Sequence, residues 1–236
     1  MVPRHFNEII MGAQLTKKKA IVSWTGGKDC ALSLFMARQS GFEVAGLVTF
    51  IPAGSDFRAH PLTVIKKQAE ALNLPWSEMV VEKPYEPSYE LSLKKVKKIY
   101  NADYLITGDI DFIGCFSTNY MEDRCRAAGL NIFNPVWQKK RDEIWDMLFE
   151  NNFEIIFSLS KADLLGAEWI GKSITRKIFA EFKDIAQANG IDLCGENGEF
   201  HSIVINSPDF RKRLILKSSR IISDDEFHYL NIGEIS

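Results

Sequence analysis

The chain is poor in cysteine, and the few cysteines it has are scattered. Cys30, Cys115, Cys125 and Cys194 form no Cys-x-x-Cys pair. That argues against a structural zinc site or a disulfide framework and fits a reducing, cytoplasmic setting. An excess of charge is also lacking. Lys plus Arg number 29 and Asp plus Glu 31, for a net charge of −2, which argues against nucleic acid as a partner. No apolar run reaches the length of a membrane span. Residues 1–18 are not expected to act as a signal peptide, because Asn7 and Glu8 interrupt the apolar stretch and no small-residue cleavage site follows. Met11-Gly12 offers an alternative start. Internal repeats and low-complexity tracts are missing. What is present is 236 residues, 46% of them hydrophobic, enough for one large domain or two modest ones.

The richest stretch is Ser23-Trp24-Thr25-Gly26-Gly27-Lys28-Asp29-Cys30. A β-prone run, Lys19–Ser23, precedes it, and good helix formers, Ala31–Gln39, follow. The glycines therefore sit at a strand-to-helix turn, where backbone N–H groups can approach an anion closely. The helix adds unpaired N–H groups and the positive end of its dipole. Lys28 adds a full charge, and Asp29 a carboxylate able to hold Mg²⁺ or orient a nucleophile. This is a phosphate-binding loop in physical design, but not a Walker A loop, which needs four residues between its glycines. A second stretch, Gly166–Ser173, does match that pattern letter for letter. Its context is wrong, since the preceding strand ends near Leu159 and Glu168-Trp169-Ile170 is bulky. Trp169 is expected in a core instead.

Strand and helix signals alternate onward: strand 43–51, helix 61–72, strand 77–82, helix 88–100, strand 102–107, helix 117–128. This spacing implies βαβ crossovers and a parallel sheet, with ligands beyond the strand ends near loops 24–30, 50–60 and 108–116. The lysines of 94–98 alternate with apolar positions and read as a solvated helix face. Beyond Pro135 the pattern is mixed: helix 142–150, strand 153–159, helix 174–189, strand 202–206, and late strands at 214–216 and 227–232. The expected fold is α/β, a parallel-sheet, Rossmann-like domain over 18–134 with a smaller α+β domain over 135–225. Residues 1–17 and 226–236 are expected as terminal extensions.

The second dense stretch is Cys194-Gly195-Glu196-Asn197-Gly198-Glu199-Phe200-His201-Ser202. If the strand begins by Glu199, alternation puts Glu199, His201 and Ile203 on one face. Glu199 and His201 would then be paired neighbours able to share a proton or hold a cation.

Thr25–Cys30 resembles the S-G-G-K-D-S loop of the ATP pyrophosphatases (PP-loop enzymes). Thr25 keeps the hydroxyl of the first Ser. Cys30 replaces the last Ser and bonds hydrogen more weakly, which leaves its phosphate contact weakened or on the backbone. Gly195–Ser202 resembles the G-E-x-G-E-[FY]-H-[ST] signature of the diphthine–ammonia ligase family within that group. Gln68–Pro75, Gly108–Ile110, Asn134–Trp137, Glu168–Gly171 and Ser207–Phe210 agree in order, so the likeness spans about 19–216. Ser23-Trp24 and Gly108-Asp109-Ile110 look more like a bacterial-type branch.

The resemblance implies an ATP-dependent, amide-forming ligase. A carboxylate is adenylated, pyrophosphate leaves, and ammonia attacks to give an amide and AMP. The family substrate is diphthine on translation elongation factor 2. It applies here only if the source is archaeal or eukaryotic, since bacteria lack diphthamide; otherwise the acceptor is another small or protein-borne carboxylate.

The implied nucleotide contacts are Ser23, Thr25, Gly26, Gly27, Lys28, Asp29 and Cys30, with Val48, Thr49 and Phe50 at the second strand end and Gly108 and Asp109 at the fourth. Asp29 is the expected Mg²⁺ ligand. Lys28, Asp29, Glu196, Glu199 and His201 are the expected catalytic set. Arg58, His60, Asp109 and Glu122 are candidate acceptor contacts. Two other functions compete. One is a PP-loop RNA thiolation-type enzyme, for which Cys115 or Cys125 near the loop would carry sulfur. The other is a non-catalytic ATP- or AMP-binding module, which needs the loop but not the Glu–Glu–His cluster. Aromatic residues are plentiful enough to furnish a homodimer surface.

Overall fold

Strand β1 (Lys19–Ser23) is the axis of the first sheet, and its Ala20, Ile21 and Val22 are fully buried. A computed structural model describes residues 18–112 and 118–236. After β1 come α1 (Lys28–Gln39), β2 (Glu43–Pro52), α2 (Leu62–Leu72), β3 (Trp76–Val81), α3 (Tyr85–Tyr100), β4 (Tyr104–Ile106), α4 (Tyr120–Ala128) and β5 (Asn131–Phe133). The strands pair in the order β3-β2-β1-β4-β5, all parallel. The chain winds outward from β1 to β3, then returns to the other side of β1 for β4. The switch in direction therefore falls between β1 and β4, which opens a crevice at their carboxyl ends.

The helices form where the apolar spacing demands. On α2, Val64, Ile65, Ala69 and Leu72 recur on one face and are buried. Asn73 and Asn101, both in left-handed conformations, end α2 and α3. On α3, Leu93, Val96 and Tyr100 are buried while Lys94, Lys95 and Lys98 are exposed, as expected of a solvated face.

The second half contains α5 (Arg141–Glu150), β6 (Glu154–Lys161), α6 (Arg176–Asn189), β7 (Phe200–Asn206), β8 (Leu216–Ser223) and β9 (Phe227–Ile235). Its four strands form an antiparallel sheet in the order β7-β6-β9-β8. One expectation is corrected here. Residues 226–236 are no extension, because β9 lies inside this sheet, hydrogen-bonded to β6 on one side and β8 on the other. Trp169, within the Walker-like stretch, is 4% exposed and packs edge-on against Phe157 and near Phe182. That stretch forms a short 3₁₀ turn over Ala167–Trp169 rather than a phosphate cradle.

The two halves share a core. Leu32 and Leu34 of α1 and Ile65 of α2 belong to the same buried cluster as Phe157 of β6, Phe182 of α6 and Ile203 and Ile205 of β7. Polar ties reinforce it: Arg38 pairs with Asp209 at 2.8 Å, and Arg211 N–H donates to Ala71 C=O at 2.8 Å. Among the described residues no helix is long and apolar enough to cross a membrane. The stretch holding Met11-Gly12, and Cys115 with it, lies outside the described residues.

Candidate active site

The glycine loop is built by β1 handing over to α1. Gly26 has φ +83°, a conformation costly for residues with a Cβ, and a Cβ there would meet Gln68 Oε1 at 2.2 Å. Gly27 caps α1 with no side chain to offer its amides. The first turn, with Gly27, Lys28, Asp29 and Cys30, lines a cleft of about 380 Å³. Ser23, Thr25, Gly108 and Asp109 line it from the sheet side, and His60 from the loop after β2. Cys194, Gly195, Glu196, Gly198, Phe200, His201 and Ser202 line it from the second half.

The two glycine-rich stretches, some 170 residues apart in sequence, are bonded to each other. Lys28 N–H donates to Ser202 Oγ (3.3 Å), Val204 N–H to Gly26 C=O (3.0 Å), and Lys28 Nζ to Cys194 C=O (2.5 Å). Gln68 completes the lock. Its Nε2 donates to Gly26 C=O (2.9 Å) and Val204 C=O (2.8 Å), while its Oε1 accepts from Trp24 Nε1 (3.0 Å). Gln68 was not singled out as a functional residue from the sequence. The signal was there, because a polar side chain interrupts the apolar stripe of α2 and must find partners when buried.

Lys28 is 2% exposed and pairs with Asp29 at 2.8 Å. Burial works against its charge, but Asp29, the partners at Cys194 and the Glu196 carboxylate outweigh it and hold the ammonium protonated. Burial raises the Asp29 carboxyl, with Lys28 pulling it back. Asp29 Oδ1 and Asp109 Oδ2 are buried and without a hydrogen-bond partner. Burial, reinforced by Asp29, pushes Asp109 up to about 6 against the pull of the Thr107 hydroxyl.

Glu196 sits at the exposed rim, yet the cleft walls desolvate it and Asp29 opposes its charge. Its carboxyl is pushed up to about 7, close to the operating range of a general base. His60 and His201 meet edge to face, with centroids 5.1 Å apart. Burial and the nearby Lys28 lower His201 to about 4. Burial, His201 and Lys28 lower His60 to about 3. Both rings are neutral near pH 7, and His60 Nδ1 is a buried atom without a partner.

Several expected residues stand elsewhere. Glu199 is 3% exposed and does not line the cleft. Its Oε1 accepts from Asp192 N–H (2.9 Å) and Asn197 Nδ2 (3.0 Å), and its Oε2 from Asn197 N–H (2.9 Å). Strand β7 begins one residue later, at Phe200, so Glu199 belongs to the turn and braces it. Val48 and Phe50 point into the second core cluster. Thr49 Oγ1 donates to Trp24 C=O and accepts from Trp76 Nε1. None of the three lines the cleft. Arg58 pairs with Asp56 and Asp224 and lies over the Phe227 and Tyr229 rings, so it ties its loop to the second sheet. Glu122 is exposed on α4 and pairs with Arg126.

A Cβ on Gly108 would meet Asp29 C and Cys30 N at 2.6 Å, so this glycine lets the chain after β4 pass close to the start of α1 at the cleft wall. The Cys30 thiol donates to Gly27 C=O and is spent within the loop. Cys125 is 1% exposed in the second core, and burial pushes its thiol up to about 12.

Among the described residues no cluster of three or more His, Cys, Asp or Glu side chains has the geometry of a metal site. An open parallel sheet with a glycine loop and a helix start at its switch point defines a Rossmann-like α/β protein. Comparison with known families narrows the class. The diphthamide synthase N-terminal domain matches residues 18–132 and the diphthamide synthase C-terminal domain matches 141–236. The chain belongs to the diphthine–ammonia ligase (diphthamide synthase) family. Diphthine–ammonia ligase of Bos taurus is 22% identical over 225 residues, covering 84% of this chain and 83% of that protein. The Homo sapiens enzyme is 22% identical over 224 residues, with 84% and 82% covered. That of Schizosaccharomyces pombe is 25% identical over 236 residues, covering 88% of this chain and 38% of the larger protein.

Proposed function

We propose that the protein is an ATP-dependent amide-forming ligase. It activates a substrate carboxylate as the adenylate with release of pyrophosphate, and ammonia then displaces AMP. The observation that carries this reading is that Thr25 and Gly27–Cys30 of the glycine loop line one and the same cleft as Glu196 and His201. The first-turn amides of α1 suit the triphosphate, as helix starts suit anions. Lys28 is the cation within reach to offset charge on the departing pyrophosphate.

Asp29 Oδ1 and Asp109 Oδ2, unpaired and on the cleft, fit a hard cation that needs only one or two carboxylates beside phosphate and water. Mg²⁺ bound there would supply charge neutralisation on the phosphates. Glu196 takes the proton that ammonium must lose before it can attack. Neutral His201 and His60 form the wall beside the loop and offer ring nitrogens to the acceptor. Diphthine is the acceptor suggested by the family relatives; a bacterial source would require a different carboxylate.

A screen of carboxylic acids for ammonia-dependent release of pyrophosphate and AMP tests the reading. Lys28→Ala should abolish pyrophosphate release, and full activity in that variant would remove the loop from the reaction. Nucleotide binding without products would favour the binding module.

A further inference from the structure

The Lys28 ammonium occupies a cage of unusual completeness. Its Nζ bonds Cys194 C=O and Asp29 Oδ2, and it lies 5.5 Å from the Phe200 ring centroid and 5.8 Å from that of Trp145. One carbonyl, one carboxylate and two aromatic faces are what a small desolvated cation requires. Three of the four come from the second half of the chain. Trp145 is held in turn, its Nε1 donating to Leu193 C=O at 2.8 Å, and Phe200 packs on Phe157 and Phe182. The cage is thus rigid, whereas the lysine inside it has a flexible four-carbon stem.

Asp29 is two-sided: Oδ2 faces the cage and Oδ1 has no partner. A phosphate-loop lysine is expected to offer its charge to the cleft, but this one is turned onto Cys194. When phosphates draw it out, the cage is left with its carbonyl, carboxylate and rings intact. The geometry points to this cage as the binding site of the ammonium ion that supplies the amide nitrogen, filled by the Lys28 side chain until nucleotide binds. The inference rests on the amide-ligase reading above.

Glu196 lines the same cleft and already acts electrostatically on the caged charge. In the step it serves, one N–H bond of ammonium breaks, the proton passes to the Glu196 carboxylate, and the electron pair stays on nitrogen. The lysine thereby guards the cage, because free ammonium enters only after the triphosphate has claimed the Lys28 side chain.

The test is thermal unfolding of Lys28→Ala in ammonium, potassium and tetramethylammonium chlorides at equal ionic strength. Ammonium at tenfold excess over its Kd should raise Tm by about 3–5 °C, with no such rise for tetramethylammonium and none in the wild type without nucleotide. An equal response to potassium would mean a monovalent-cation site only and would overturn the proposal. Should Lys28→Ala not fold, calorimetric titration of ammonium into wild type decides the matter. Saturable heat should appear only when a non-hydrolysable ATP analogue with Mg²⁺ is present, and its absence would overturn the proposal. The two readings fail separately. Amide formation by a protein that shows no ammonium binding in either experiment removes the cage but leaves the ligase. Ammonium binding without pyrophosphate or AMP removes the ligase but leaves a cation cage.

Discussion

Replacing Glu199 by Gln distinguishes a brace from a catalyst. The carboxylate accepts three hydrogen bonds from the turn it closes, two on Oε1 and one on Oε2. In Glu199→Gln the amide oxygen can keep the pair on Oε1. Its NH₂ then faces the Asn197 N–H, donor against donor. One charge-assisted bond is lost, a buried N–H is left unsatisfied, and the others weaken to neutral bonds. The cost is about 2–3 kcal/mol. At about 2–4 °C per kcal/mol for a chain of this size, Tm should fall by about 4–12 °C.

The pH dependence carries a sign. Burial alone would raise the Glu199 carboxyl, but the amide bonds outweigh it and hold it below its ordinary value of 4.5. Its stabilising effect is therefore present above pH 4.5 and lost as pH falls through the lower native value. The Tm gap between wild type and variant should be constant near neutrality and close in acid. Turnover, assayed well below the variant's Tm, should stay within about tenfold of wild type, a barrier change of roughly 1.4 kcal/mol. An unchanged Tm together with a loss of turnover beyond about a hundredfold would refute the brace and return Glu199 to the chemistry.

Two further outcomes follow from the same site. Glu196 is raised to about 7, so its base form is lost below that pH. The ratio of wild-type to Glu196→Gln turnover should fall about tenfold per pH unit below 7 and level off above it; a ratio flat between pH 5 and 8 would exclude Glu196 as the base. Cys125 lies in the core, so Cys125→Ala should cost about 1 kcal/mol of stability and leave turnover within about twofold, whereas a tenfold loss of turnover would bring sulfur transfer back into consideration.

Most of the fold was legible because its elements are periodic. The parallel sheet followed from apolar strands alternating with amphipathic helices, and the loop between β1 and α1 from its glycines and charges. Strand β8 was mostly missed because Lys217, Ser218, Ser219 and Arg220 are exposed on a sheet edge, where no burial pattern marks them. Glu199 was expected on a strand face beside His201, but β7 starts one residue later, at Phe200. Such a slip moves a side chain to another face of a strand, and here out of the strand altogether. Arg58, Val48 and Phe50 were placed at the site because their loop or strand end was. Whether a side chain in such a place turns to the cleft or to the core depends on tertiary partners, here Asp224 and the aromatic neighbours of β9 and α3.

The lock between the two halves explains why the site lies where it does. A lysine only 2% exposed cannot keep its charge unless carbonyls, carboxylates or rings replace water. The first half offers Lys28 one such partner, Asp29. The second supplies Cys194 C=O and two aromatic faces, and it satisfies Gly26 C=O and the Lys28 N–H as well. Without strand β7 the loop would retain its glycines but lose the partners that define its shape. The phosphate loop is therefore a property of the whole chain, and any change that loosens the turn of residues 192–199 acts on Lys28 without touching it.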